Sequence, residues 1–259
     1  MDLTKWVFLS LPILLVLYLF WRIWIWKKTP KQSHFPDAWK AILNKKVRFY
    51  SALSIVEKFR FEKEVLYFLN AVTITGVEIT ISDTDRLFVA ASAVIPLFGF
   101  PELRYRNINE VLLYEGSFNE DHQTVGDKRN ILGKVGSGTM NRLMILSLPA
   151  LRAGFEIKNS KSNVGIHEFV HLIDKADGAV DGLPESLLQK QYVLPWLNLM
   201  HDEILKIEEN ESDINAYGAK NKAEFFSVVS EYFFNQPKKF MKEHPELYYL
   251  MTKVYNRNL

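Results

Sequence analysis

Residues 164–174 read VGIHEFVHLID, two histidines four apart with a glutamate directly after the first, inside an otherwise apolar run. On an α-helix, positions i and i+4 project from one face one turn apart. His167 and His171 could therefore reach a single ion while Glu168 points close by without capping it. Val164, Phe169, Val170 and Ile173 give such a helix apolar surface to bury, Asn159, Ser160 or Ser162 could cap its start, and Gly178 could end it. A catalytic zinc held this way takes three protein ligands and keeps a position for water, whose pKa falls toward ~7, and Glu168 could accept that proton. Either histidine alone would read as an ordinary helix residue; the spacing carries the signal.

The chain contains no cysteine, so thiolate ligands and disulfides are excluded and a zinc must be held by imidazole and carboxylate. His201 and His244 stand alone, and His34 and His122 fall in predicted loops. Residues 223–234, AEFFSVVSEYFF, form a predicted helix dense in aromatics that still carries Glu224 and Glu231, seven apart and on one face. A carboxylate among phenylalanines is costly unless a cation or donor meets it. Spacing leaves open which of the two completes the ligand set. Asp174, close to one turn beyond His171, is a candidate to orient a ligand imidazole through its free N–H.

The amino terminus is a separate object. Residues 6–26, WVFLSLPILLVLYLFWRIWIW, carry one ionisable side chain, Arg22, and are long enough at ~1.5 Å per residue to cross a ~30 Å hydrocarbon layer. Trp21, Trp24 and Trp26 supply interfacial aromatics. A cleaved signal peptide is the rival reading, but the basic n-region is weak and no small-residue cleavage site follows. Arg22, Lys27, Lys28 and Lys31 at the far end outweigh Lys5 at the near one, which predicts a single-pass anchor with the carboxy-terminal part in the cytoplasm. The expected organisation is an anchor over 1–26, a linker over 27–34 and a domain over 35–259. A net charge of +2 gives no basis for a nucleic-acid partner.

Within the domain, apolar periodicity predicts helices near residues 36–45 and 55–71, a strand over 76–82, a mostly apolar helix from 83 that stops near Pro96 and Gly99, and strands over 108–115 and 142–148 separated by a polar, glycine-bearing loop or hairpin excursion. Beyond Lys158 the chain reads as helical almost to its end. A small sheet followed by a helical half is an α+β arrangement. If the strand at 142–148 is a sheet edge, it could align an extended peptide by main-chain pairing.

HEFVHLID at 167–174, with DINAYGAKNKAEFFSVVSEYFF at 213–234, resembles the Mlc titration factor A family of zinc-dependent peptidases, from FPDAW near Phe35 through the final helices. The resemblance implies a mixed α+β gluzincin fold related to the peptidase domain of anthrax lethal factor. It also implies Zn²⁺ held by His167, His171 and Glu224, with Glu168 as base and Tyr217 at the site, and leaves Glu231 either behind the ligands or at the edge of the core. The hydrophobic anchor is not part of that family's soluble pattern. The function expected is a membrane-anchored zinc peptidase acting on peptide or protein substrates; the alternative is a regulatory binding protein that sequesters a partner, with little or no proteolysis.

Overall fold

Ser54 and Ser82 each open a helix by the same local chemistry. The serine hydroxyl accepts the N–H three residues on, and the acid there, Glu57 or Asp85, accepts the serine N–H in return. Two donors that a helix start leaves unpaired are thereby satisfied. In the computed structural model, which describes residues 34–126 and 129–259, these are α3 (Ile55–Ala71) and α4 (Asp83–Leu97), preceded by α1 (Asp37–Lys46) and a single turn, α2 (Arg48–Ser51). The span expected at residues 6–26 lies outside the described residues, and among those described no helix is long and apolar enough to cross a membrane.

Four strands make one mixed sheet: β1 (Thr73–Gly76), β2 (Glu110–Tyr114), β3 (Gly133–Val135) and β4 (Leu143–Ser147), in the order β1-β2-β4-β3. β1 and β2 pair in parallel, as do β2 and β4, while β3 lies antiparallel on β4. The strand expected at 76–82 is displaced toward the amino terminus. After β1 the chain turns, with Glu78 at φ 58°, and Ile79 and Ile81 pack against the core from this turn; their alternation marks burial, not a ladder. β4 has neighbours on both sides, so residues 142–148 are interior and the peptide-aligning role that depended on their being an edge fails. The edges are β1 and β3, and β3, three residues long, lies within the segment expected to be a loop or hairpin excursion.

The helical half comprises α5 (Leu148–Glu156), α6 (Val164–Asp174), α7 (Val193–Glu208), α8 (Lys222–Asn235), α9 (Pro237–Glu243) and α10 (Pro245–Val254). α4 is buried around almost its whole circumference, from Leu87 to Pro96, which suits a central helix. The histidine-bearing α6 packs between α4 and α8, with β3 and β4 against it. The aromatic residues of α8 account for its depth: Phe225, Phe226 and Phe233 are fully buried, and Phe226 meets the Trp196 ring edge-on at 5.7 Å. Each such side chain contributes roughly 1.5–3 kcal/mol of burial. That packing fixes the two helices that carry the polar residues.

Candidate metal centre

α6 starts at Asn163, whose side chain accepts the Ile166 N–H at 3.1 Å. The cap is thus one residue beyond Ser162, the last of the candidates read from the sequence. The helical run ends after a short 3₁₀ turn at Gly178, in the left-handed region at φ 99°, where a residue without Cβ is favoured. From this helix His167 and His171 project together, their Nε2 atoms 3.1 Å apart.

α8 supplies the third group. Asn221 caps it by accepting the Glu224 N–H, which holds Glu224 in the first turn. Glu224 Oε2 lies 3.0 Å from His167 Nε2 and 3.2 Å from His171 Nε2. Among the described residues, one group of three metal-capable side chains is brought together, His167, His171 and Glu224, with donor atoms within 4.8 Å of one another. The donor set fits a cation. Ligand atoms on a tetrahedral zinc at ~2.0–2.1 Å stand ~3.3 Å apart, close to the triangle seen. Two imidazole nitrogens and a carboxylate oxygen facing one point need a proton or a metal ion between them, and ligand sets of this N₂O kind suit zinc.

Glu231, two turns along α8 from Glu224, sits behind the triangle. Its Oε1 lies 2.7 Å from His167 Nδ1, and its Oε2 accepts the Asn163 N–H. A carboxylate here fixes the ring so that Nε2 faces the other two donors. Asp174 does not play that part: it is fully buried, accepts the Gly182 N–H at 3.1 Å and makes no bond to His171. Burial pushes its carboxyl up to about 6, and its bond ties down the loop that follows the helix.

Glu168 is buried. Burial raises its carboxyl above the usual carboxylate range, against the opposing pull of His167 and His171. Tyr217 comes from a 3₁₀ turn, Ala216–Ala219, whose Asn215 cap accepts the Tyr217 N–H. Its hydroxyl donates to Glu224 Oε1 at 3.2 Å and receives the Lys220 ammonium at 3.2 Å, so the exposed ring hangs its polar tip over the donors. His244, considered as a ligand, belongs to a different cluster with Asp213 and Glu203.

The donors open onto a cleft of about 540 Å³ that β3 borders, with Glu168, Tyr217 and Lys220 among its lining. Lys220 was missed by sequence reading; it ends the 3₁₀ turn just before the Asn221 cap, and its place four residues before Glu224 was the available signal. The place of β3 was not fixed beyond a loop or hairpin excursion, because three residues show no alternation.

The family model for the glucose-regulated metallo-peptidase M90 matches residues 21–256, beginning earlier than the start near Phe35 read from the sequence. An uncharacterized protein of Synechocystis is 28% identical over 249 residues, 92% of this chain and 90% of its own length. Mlc titration factor A of Escherichia fergusonii is 27% identical over 252 residues, and that of Pectobacterium atrosepticum 23% over 250, each covering 91% of both chains. With a matched segment that takes in both the histidine pair and the helix carrying Glu224, the chain belongs to the glucose-regulated metallo-peptidase M90 family.

Proposed function

We propose that the protein is a zinc-dependent peptidase of the gluzincin type, tethered to a membrane by residues 6–26, with its domain in the cytoplasm. The observation that carries the catalytic reading is the meeting of His167 Nε2, His171 Nε2 and Glu224 Oε2 within hydrogen-bonding distance of one another, beside a buried carboxylate that belongs to none of these contacts. When bound, zinc supplies Lewis acidity toward the scissile carbonyl and toward water. Glu168 takes the water proton and returns it to the leaving amine; a carboxyl raised by burial is suited to both transfers. Tyr217 donates its hydroxyl to the developing oxyanion, exchanging its bond to Glu224 for one to substrate. Glu231 holds His167 in register.

β3 aligns the substrate. Leu132 C=O accepts the Ser147 N–H and Gly136 N–H donates to Leu143 C=O, so the even-numbered residues face β4. By alternation Gly133 and Val135 turn their N–H and C=O groups to the open side, where an extended peptide can add as a further strand.

The relatives' printed name, Mlc titration factor A, favours a second reading in which the protein sequesters a regulatory partner. Glu168 has no task in pure sequestration, and a buried carboxylate with no task is a cost. Metal analysis of the purified full chain tests the proposal: about one zinc per chain is expected, lost in His171→Ala. Stoichiometric zinc in that variant would remove the ligand assignment.

A further inference from the structure

Gly133 opens the edge strand directly against the proposed base. A Cβ built on it would stand 2.5 Å from Glu168 Oε1, 2.6 Å from Cγ and 2.8 Å from Cδ, all well inside ordinary contact. All three nearest atoms belong to the end of a single flexible side chain, and none is backbone. The Gly133 backbone is not in the left-handed region, so an alanine can adopt its conformation. What the absent methyl group leaves is the space that the Glu168 carboxylate occupies.

Gly136, three residues on, is a contrast. A Cβ there would meet the Met140 carbonyl oxygen at 2.1 Å and that of Leu143 at 2.9 Å. Backbone cannot swing aside as a glutamate can, so a methyl at 136 strains the fold, while one at 133 displaces a carboxylate.

We infer that Gly133 is a positioning residue for the reaction, setting where the Glu168 carboxylate lies relative to the metal site and to a peptide paired on β3. The inference rests on Glu168 acting as the base. The main-chain groups of Gly133 that face the cleft would then hold the substrate residue nearest to that carboxylate, so that one glycine registers both proton acceptor and substrate. Misplacement of a reacting group by about 1 Å is sufficient to cost ~100-fold in rate.

The test uses the full-length, zinc-loaded chain and a mixture of internally quenched fluorogenic peptides. Gly133→Ala should lower kcat by about 100-fold with KM changed far less, and should keep one zinc per chain and its thermal midpoint, whereas Gly136→Ala should lower the midpoint. In the double variant with Glu168→Gln, the alanine should cause no additional loss, because the group it displaces is already disabled. Undiminished kcat in Gly133→Ala, an equal loss in both backgrounds, or loss of zinc with unchanged turnover per zinc-loaded molecule would each overturn the inference. Full activity of Glu168→Gln alone would instead remove the base assignment on which it rests.

Discussion

Glu231 Oε1 stands 2.7 Å from His167 Nδ1, on the opposite side of the imidazole from Glu224, whose Oε2 stands 3.0 Å from Nε2 of the same ring. One histidine thus lies between two carboxylates from a single helix, seven residues apart. The nearer to the site offers an oxygen to the shared centre, and the farther fixes the ring.

Those unequal positions predict unequal losses. Glu224→Ala removes a donor from the triangle and should lower zinc affinity by orders of magnitude, whereas Glu231→Ala should lower it by about 10–100-fold. Competition against a chelator of known affinity measures both. The reverse ranking would contradict the roles assigned to the two glutamates.

The Tyr217 hydroxyl lies over the donors without belonging to their triangle. Tyr217→Phe should keep one zinc per chain and lose roughly 10²-fold in kcat, the usual scale for removing one oxyanion donor. Steady-state kinetics beside metal analysis decides it. Unchanged kcat would leave the tyrosine as packing alone.

A second cluster predicts a pH dependence of stability. His244 Nε2 lies 2.8 Å from Asp213 Oδ1 and its Nδ1 3.3 Å from Glu203 Oε2, while Lys239, Lys161 and Tyr232 also meet Asp213. Burial works to lower the His244 pKa, but the two carboxylates outweigh it and raise it above its ordinary value. A raised folded-state pKa contributes stability that is fully present below about 6.5 and lost as pH rises through the folded value. Asp213 is shifted the other way: burial opposes its charge, yet Lys239, His244, Tyr232 and Lys161 hold it below the usual range. Its contribution is present above about 4 and lost on acidification. Thermal midpoints of wild type should therefore fall between pH 6.5 and 9 more steeply than those of His244→Gln; parallel curves would contradict this.

The amino-terminal assignment has its own test. A chain with no cysteine accepts single-cysteine labels cleanly, so an impermeant thiol reagent applied to intact cells should leave a cysteine at exposed Leu194 unmodified until the cells are lysed. Modification without lysis would put the domain outside. Release of the full chain by alkaline carbonate would contradict the anchor itself.

The legibility of this chain varies with the length over which a pattern extends. α3 begins and ends where apolar periodicity from Ile55 to Ala71 puts it, and β2 and β4 fall inside their predicted runs, because each pattern is long enough to repeat. The bounds of β3, inside a stretch read as loop or hairpin excursion, could not be read: Gly133–Val135 is short and half-exposed, and its place at the cleft comes from pairing with β4. The i,i+4 pair on α6 was visible from spacing. The choice between Glu224 and Glu231 was not, since both occupy one face of α8, and only the packing of α6 on α8 distinguishes the Nε2 side of His167 from the Nδ1 side. Asp174 shows the limit of spacing along one helix. It lies near the turn after His171, yet burial turns it to the Gly182 N–H of the following loop.

The account stands most directly on whether zinc binding and peptide hydrolysis separate at Glu168. Side-by-side measurement of zinc content and peptide turnover in the full-length wild type and Glu168→Gln should give about one zinc per chain in both and turnover lower in the variant by about 10²–10⁴-fold, because the amide leaves the three donors intact but cannot take the water proton. Undiminished turnover in Glu168→Gln, or a wild type that binds zinc and cleaves no peptide, would contradict it.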